Sequence, residues 1–188
     1  EWWPRRVDRR HREQRWNFDR WRWDGHNRLD NSADDFVAVI HVSVDSDTTD
    51  AFIRIQFRLT NTGTSAVSLA GYSVRYWFTK DSTTATLEPV PPYCWGWEYG
   101  CGTVTLTYTA VSPARTNADN YVEATFASGS IPANSTTGNS LNIGFNKSDW
   151  SNFDETNDYS FNSALAVGAE NPTITLYYGG ALVWGTEP

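Results

Sequence analysis

Alternation between apolar and polar side chains, with a period of two residues, restricts the fold of this chain more than any other feature. In residues 52–59 the apolar members are Ile53, Ile55, Phe57 and Leu59, and the polar members are Arg54, Gln56 and Arg58. Successive side chains of a β-strand point to opposite faces of its sheet, so this segment predicts a strand that is buried on one face. The same alternation recurs at residues 36–44, 72–79, 103–110, 121–127, 139–146 and 173–178.

Turn sequences separate these segments, and no helical period is present. Asn-Thr-Gly, Gly-Ser and Pro-Ala-Asn fall between the alternating runs, and Gly, Pro and Asn favour turns. Gly179-Gly180 separates residues 173–178 from residues 181–184, as a two-residue hairpin turn requires. Regular short strands of this kind predict an all-β fold, an antiparallel β-sandwich of about nine strands.

Charge divides the chain into two parts. Residues 1–33 hold nine Arg against six acidic residues, a net +3, whereas residues 34–188 hold six Lys or Arg against sixteen acidic residues, a net −10. An acidic body argues against nucleic-acid binding and is typical of a secreted, extracellular protein that acts on an uncharged polymer. No apolar stretch is long enough to cross a membrane, and the chain has no Met, so we expect a piece of a longer precursor.

The first 33 residues show no apolar periodicity and hold five of the ten Trp residues. We predict a disordered, linker-like segment for residues 1–33 and place the folded module at residues 34–188. Two other interpretations stay open. Arg interleaved with Trp could form a nucleic-acid-binding arm, although the six acidic residues argue against it. Alternatively, a Gly/Ser/Thr linker has been translated out of frame, since dropping one nucleotide turns TGG and CGG into Gly codons.

Cys94 and Cys101 are the two cysteines of the chain. An even number in a secreted domain favours a disulfide, which would contribute roughly 2 to 3 kcal/mol by closing this short loop. A metal site is the weaker interpretation, because two thiolates need further soft or imidazole ligands. His41 is the one histidine of residues 34–188, and it falls within an alternating segment.

A single tryptophan, Trp150, lies in a polar loop directly before a cluster of oxygen-bearing side chains. The loop reads Asn-Lys-Ser-Asp-Trp-Ser-Asn-Phe at 146–153 and continues as Asp-Glu-Thr-Asn-Asp-Tyr-Ser-Phe at 154–161. With the closing Leu-Val-Trp-Gly-Thr-Glu-Pro at 182–188, this sequence resembles the family 3 carbohydrate-binding modules over residues 34–188. The resemblance implies a cellulose-binding β-sandwich with jelly-roll topology, attached to a secreted glycoside hydrolase or scaffolding protein.

The resemblance also implies a structural calcium site. In the family, a strand-ending Thr-x-Asp and a Thr/Asp-x-x-Asn-Asp loop meet around one ion, and these motifs match residues 79–81 and 154–158. The implied ligands are Thr79, Asp81, Asp154, Asn157 and Asp158. Carboxylate, amide and carbonyl oxygens are the donors that Ca²⁺ prefers. The alternative is that Asn157-Asp158 forms only a turn.

Sugar contacts are implied on a flat strip of aromatic residues, Trp95, Trp97, Tyr99 and Trp150. Flat rings bury the apolar faces of glucopyranose. The family's cellulose-binding members pair an Asp after the first Cys with an Arg six residues before the loop tryptophan, but Trp95 and Gly144 stand at those positions here. By alternation Gly144 lies on the outer face of its strand, so we expect the ring of Trp95 or Trp97 to cover the space above it.

The function that these features favour is binding without catalysis. Glycoside hydrolysis needs two carboxylates that flank one bond, whereas Asp154 and Glu155 are adjacent and point in different directions. We therefore predict a non-catalytic module that attaches a glycoside hydrolase or scaffold to cellulose or a related β-glucan. The missing Asp and Arg leave a second function open, an accessory module that packs on a catalytic domain and extends its substrate groove.

Overall fold

Two antiparallel β-sheets pack face to face in the computed structural model, which describes residues 37–44 and 47–188. These residues form twelve strands: β1 (Val37–Val44), β2 (Phe52–Asn61), β3 (Val67–Ser68), β4 (Tyr72–Phe78), β5 (Leu87–Trp95), β6 (Val104–Arg115), β7 (Ala118–Phe126), β8 (Ser130–Ile131), β9 (Ser135–Thr136), β10 (Leu141–Lys147), β11 (Thr175–Tyr178) and β12 (Ala181–Trp184). Short 3-10 helices form at Cys101–Thr103 and Glu155–Asn157. In the described part of the chain no helix is long and apolar enough to cross a membrane. The predictions for residues 1–33 lie outside the described residues.

The order of the strands shows how the chain builds the sandwich. The first sheet runs β1-β2-β10-β5, with β9 beside β2, and the second runs β12-β11-β4-β7-β6. β3 and β8 form a separate two-stranded ribbon, and the pairing is antiparallel throughout. Neighbours such as β2 and β10 are distant in the chain, so the connections cross from one sheet to the other. The predicted all-β, antiparallel β-sandwich with jelly-roll topology is confirmed, whereas the predicted count of about nine strands is not, since twelve form among the described residues and three of them, β3, β8 and β9, have only two residues.

The core lies between the two sheets and is made by the apolar half of each alternating strand. The buried apolar residues of β2 are Ile53, Ile55, Phe57 and Leu59, and those of β10 are Leu141, Ile143 and Phe145. Across the core, the ring centroid of Phe145 lies 4.9 Å from that of Phe78 on β4. Each fully buried side chain of this size contributes about 1.5–3 kcal/mol. The apolar residues whose alternation predicted the strands therefore also form the core that holds the two sheets together.

The hairpin at the end of the chain has the predicted two-residue turn. Gly179 and Gly180 join β11 to β12 with φ values of 57° and 83°. Two consecutive positive φ angles are what a primed turn needs, and glycine adopts them without steric cost. β11 begins at Thr175, two residues later than predicted. The backbone N–H and hydroxyl of Thr173 both donate to Asn171 Oδ1 in a turn, which delays the strand.

A closed aromatic cluster covers part of the outer face of the second sheet. Trp77 is buried there, and its ring centroid lies 4.9 Å from that of Tyr121. The guanidinium of Arg75 lies 3.9 Å from the ring centroid of Tyr177 and donates to Glu123 at 3.0 Å. Because these rings and charges contact one another, Trp77 stabilises this sheet by packing.

Candidate functional site

One outer surface of the first sheet is formed by β2, β10 and the end of β5. The register places Arg54 opposite Gly144, and it places Trp95 opposite Asn142. Residues paired directly across a sheet point to the same face. We call this surface the β2–β10–β5 face, and its members are Phe52, Arg54, Gln56, Glu88, Trp95, Asn142, Gly144 and Asn146.

The ring of Phe52 covers Gly144. A Cβ atom built on Gly144 would lie 2.3 Å from Cζ of Phe52 and 2.7 Å from its Cε2, so no side chain fits there with the ring in place. We expected the ring of Trp95 or Trp97 to cover this space, and that expectation is wrong. The register explains the difference, because Phe52 pairs with Asn146 and is thus a diagonal neighbour of Gly144 on the same face.

Arg54 lies between two aromatic rings of this face. Its guanidinium carbon is 5.2 Å from the ring centroid of Phe52 and 5.8 Å from that of Trp95. At these distances a cation is attracted to the π-face of a ring. The side chain of Arg54 is exposed, and Trp95 is 38% exposed. The row Phe52–Arg54–Trp95 therefore presents the planar groups of Arg54 and Trp95 to solvent, with the half-buried ring of Phe52 beside them.

Trp150 is the most exposed large aromatic residue among the described residues, with 59% of its surface accessible. Its loop leaves β10 in a tight turn, in which the N–H of Trp150 donates to the carbonyl of Lys147 at 2.9 Å. Trp150 has a φ of 56°, a left-handed conformation that non-glycine residues rarely adopt. Asp149 supports the turn by accepting from the N–H and hydroxyl of Ser151, and these bonds lower the pKa of its carboxyl.

A buried lysine anchors this loop from below. Lys147 is 0% exposed; its ammonium donates to the carbonyl of Asn152 at 2.5 Å and lies 4.4 Å from the ring centroid of Phe153. Ser148 adds two bonds to Thr86, the residue before β5. The loop that presents Trp150 is thus attached at both of its ends. Sequence reasoning missed Lys147, although a lysine between a strand and a polar loop is a weak signal of such an anchor.

The disulfide loop turns one of the predicted sugar contacts inward. Trp97 is only 5% exposed and packs at 5.5 Å from the ring of Phe126. A buried indole cannot stack on a polysaccharide, so the prediction that Trp97 contacts sugar is wrong. Gly96, with a φ of 74°, reverses the chain after Trp95 and directs Trp97 into the core.

The Cys94–Cys101 disulfide is present, as predicted. Within the loop that it closes, Tyr99 is half-buried with its ring edge against Trp97 at a centroid distance of 5.4 Å. The hydroxyl of Tyr99 donates to the carbonyl of Ser130 at 2.6 Å, and burial raises the pKa of this phenol. Tyr99 therefore supports the loop, and only part of its ring reaches solvent.

The two segments predicted to hold calcium do meet in the structure. The N–H of Thr79 donates to Asp158 Oδ1 at 2.7 Å, and the hydroxyl of Thr79 donates to the carbonyl of Asn157 at 3.2 Å. Asp81 accepts from the amide of Asn157 at 2.9 Å and from the N–H of Asp154 at 2.8 Å. The carboxylate of Asp154 caps the short helix Glu155–Asn157. All five predicted ligands thus belong to one network.

Two buried oxygens of this network have no hydrogen-bond partner among the described residues, Oδ1 of Asn157 and Oδ2 of Asp158. Burial, together with the neighbouring carboxylates of Glu155, Asp81 and Asp119, raises the pKa of Asp158 to about 9 despite the opposing bond from Thr79. Within residues 37–44 and 47–188, no group of three or more His, Cys, Asp or Glu side chains is arranged to hold a metal ion. The donor set is instead mixed, with amide and carboxylate oxygens that suit a hard cation.

Phe52 and Arg54 were missed as site residues by sequence reasoning. Alternation placed Arg54 on the outer side of its strand, and Gly144 was placed on the outer side of another. The missing information was that these two strands are neighbours and that residue 54 faces residue 144. Register between strands distant in the chain leaves no local signal in the sequence.

Comparison with known proteins relates this geometry to a family. The model of a family described as "Cellulose binding domain" matches residues 39–185. Over 152 residues the chain is 36% identical to the protein described as "Uncharacterized protein in celA 5'region" of Paenibacillus lautus, covering 78% of this chain and 97% of that protein.

Other relatives are much longer than this chain. Over 154 residues it is 33% identical to the beta-mannanase/endoglucanase A of Caldicellulosiruptor saccharolyticus, covering 81% of this chain but 11% of that protein. Among solved structures, the CBM3b module of the major scaffoldin subunit ScaA from Acetivibrio cellulolyticus has a TM-score of 0.71 at 34% identity. That alignment covers 81% of this chain and 97% of the module.

Proposed function

The chain belongs to the family 3 carbohydrate-binding modules, a family of cellulose-binding domains, and on that premise we propose that it attaches its parent protein to cellulose through the β2–β10–β5 face and Trp150. It is a binding module without catalytic activity, as are the modules of this family. The observation that carries the proposed site is the row Phe52–Arg54–Trp95, in which Arg54 and Trp95 are exposed, beside β10, the strand that leads to Trp150.

Aromatic rings bind cellulose because each face of a glucopyranose presents apolar C–H groups. A flat ring covers this apolar surface while the sugar hydroxyls stay at the edge, and each ring contributes about 1–2 kcal/mol from the area buried. Trp95 lies beside Asn142 and Trp150 follows Lys147. At about 3.4 Å per residue, these two indoles are separated by roughly 17 Å along β10. The surface from Trp95 to Trp150 is therefore long enough to contact several sugar units of one polysaccharide chain.

The same binding energetics favour an insoluble, ordered polymer over a soluble oligosaccharide as the ligand. A few rings supply only modest binding free energy, and a soluble oligosaccharide loses conformational freedom when it binds. A crystalline polymer is already ordered and loses little. We therefore propose insoluble cellulose, or a related ordered β-glucan, as the ligand.

The longer relatives support a proposal about the parent protein. The chain covers 11% of a beta-mannanase/endoglucanase and 8% of a cellulosomal scaffolding protein. We propose that residues 34–188 are the binding module of a secreted, extracellular protein of one of these kinds. A catalytic domain in the same parent chain would be its partner, and residues 1–33 would be the linker.

We also propose that the network of residues 79–81 and 154–158 holds a structural Ca²⁺. The donors would be the hydroxyl or carbonyl of Thr79, the carboxylates of Asp81 and Asp158, the amide oxygen of Asn157 and a carbonyl or carboxylate oxygen of Asp154. The observation behind this proposal is the pair of buried oxygens without partners among the described residues, on Asn157 and Asp158. A bound Ca²⁺ would neutralise the acidic residues there and tie the end of β4 to the loop after Trp150.

One observation favours a second function. The family's cellulose-binding members have an Asp and an Arg where this chain has Trp95 and Gly144. An accessory module that packs on a catalytic domain would not need that ion pair. In that function, the β2–β10–β5 face would extend a substrate groove and would not retain the module on crystalline cellulose.

A depletion experiment separates the two functions. The purified chain is mixed with microcrystalline cellulose, and xylan and chitin serve as comparison polymers. We expect saturable retention on cellulose, because Arg54, Trp95 and Trp150 are exposed. Retention on none of the three polymers would reject the attachment function and leave the accessory function.

A further inference from the structure

Arg54 is an exposed cation, and its surroundings differ from those of Arg75 and Arg115. Arg75 donates to Glu123 at 3.0 Å and Arg115 donates to Glu187 at 2.8 Å. Among the residues whose side chains the structure describes, no carboxylate lies within ion-pair distance of Arg54. The described groups beside its guanidinium are instead two rings, with centroids at 5.2 and 5.8 Å.

This face carries the cation Arg54 and, opposite Asn146, the exposed carboxylate Glu88, whereas the folded part as a whole is strongly acidic. Residues 34–188 carry a net charge of −10, from six basic and sixteen acidic residues. Two of the six basic residues, Arg54 and Arg58, lie on the outer side of the same strand, β2. An anionic polymer is repelled by most of this protein, so attraction to it has to come from a local cation.

The two rings beside Arg54 determine what kind of anion can be reached. Rings on either side of a guanidinium can stack on pyranose units while the guanidinium contacts a group that projects from one of them. The planar fork of donors on Arg matches the two oxygens of a carboxylate. A pyranose whose C6 is oxidised to a carboxylate presents both parts together, an apolar ring face and an anionic edge.

We propose that the β2–β10–β5 face selects polysaccharide that bears carboxylates over neutral polysaccharide, and that Arg54 is the residue responsible. This inference rests on the proposed function, since it assigns a ligand class to the same face. The assigned ligand is a β-glucan surface that carries C6 carboxylates. Xylan substituted with uronic acid shares the carboxylate chemistry and is tested separately.

The experiment compares binding to two celluloses of equal crystallinity, one unmodified and one oxidised at C6 to a known carboxylate content. Isotherms are measured for the parent, for Arg54→Gln and for Arg115→Gln, at low salt and in about 1 M NaCl, where the Debye length is about 3 Å. Arg115→Gln is the matched control, because it removes the same charge from an exposed arginine of the other sheet. Melting temperatures verify that each variant is folded.

We expect the parent to bind oxidised cellulose about two- to fivefold more tightly than unmodified cellulose at low salt, which is the range of a charge-assisted hydrogen bond to an exposed cation. The ratio of the affinity for oxidised cellulose to that for unmodified cellulose should fall towards one at high salt. Arg54→Gln should lose the preference at low salt but keep binding to unmodified cellulose, and Arg115→Gln should keep both. The same comparison with glucuronoxylan and arabinoxylan distinguishes carboxylates on cellulose from those on xylan.

The possible outcomes distinguish a failure of the assignment to Arg54 from a failure of the proposed cellulose-binding function. A parent that binds both celluloses equally, or an Arg54→Gln variant that keeps the preference, overturns the assignment to Arg54 while the cellulose-binding function stands. A parent that binds neither cellulose rejects the proposed function itself.

Discussion

The phenyl ring of Phe52 occupies the space above Gly144, where an added Cβ atom would lie 2.3 Å from Cζ of the ring. The same ring lies 5.2 Å from the guanidinium of Arg54. The ring of Phe52 can therefore keep its place in the row Phe52–Arg54–Trp95 only because residue 144 has no side chain. Phe52 and Arg54 of β2 thus both lie beside the point where β10 has a glycine.

Gly144→Ala tests this coupling. The new methyl group would displace the phenyl ring, whose far end can rotate into solvent, so the free energy of unfolding should change by less than about 1 kcal/mol. Affinity for cellulose should fall about fivefold, which corresponds to about 1 kcal/mol for one displaced ring. Adsorption isotherms and urea denaturation measure the two quantities.

The control for Gly144→Ala is the double variant with Phe52→Ala. If the methyl group acts through the ring, Gly144→Ala should add nothing to the affinity loss once the ring has been removed. Additive losses of affinity would show that Gly144 matters for a reason other than Phe52.

Trp97 and Trp95 should respond oppositely to truncation. Trp97→Ala opens a cavity against Phe126, so it should lower the free energy of unfolding by about 3–5 kcal/mol. Trp95→Ala removes an exposed ring and should lower it by less than about 1 kcal/mol while reducing affinity for cellulose. Urea denaturation of both variants checks the ranking, and equal destabilisation would contradict the assignment of Trp95 to the surface.

These two tryptophans also show what the sequence could and could not predict. Alternation indicated correctly which residues of β2 and β10 point into the core, because that signal is local and repeats every two residues. Both Trp95 and Trp97 lie in the disulfide loop, and nothing local distinguishes the exposed ring from the buried one. The difference arises at Gly96, whose positive φ reverses the chain. Likewise, the contact between Phe52 and Gly144 depends on pairing between distant strands, which alternation does not specify.

Lys147→Met tests the anchor beneath the Trp150 loop. The methionine keeps most of the volume but leaves the carbonyl of Asn152 without its donor, so we expect a loss of about 1–3 kcal/mol of stability. Hydrogen exchange at residues 148–152 should accelerate, and affinity for cellulose should fall with it.

Lys80→Met is the matched control for that variant, because the ammonium of Lys80 also donates to a backbone carbonyl, that of Ala85 at 3.0 Å. It should leave exchange at residues 148–152 unchanged. Unaltered exchange in the Lys147→Met variant would mean that this lysine does not hold the loop.

Calcium should raise the melting temperature of the parent, and EDTA should lower it. An ion that binds only the folded state at about 100 times its Kd stabilises that state by about 2.7 kcal/mol. Asp158→Asn keeps an acceptor for the N–H of Thr79 but removes the anionic donor, so its melting temperature should not respond to either addition. Glu170→Gln, at an exposed acid outside the network, should respond as the parent does. Calorimetry that finds no response in the parent would contradict the calcium proposal.

The most direct test of cellulose attachment is the adsorption isotherm of Trp150→Ala on microcrystalline cellulose, measured beside the parent. Trp150 is 59% exposed, so its removal should leave the melting temperature within a few degrees of the parent's. Affinity should fall roughly tenfold for each 1.4 kcal/mol of binding free energy that the indole supplies. A folded Trp150→Ala variant that binds cellulose as tightly as the parent would contradict the assignment of this loop and the adjoining face as the attachment site.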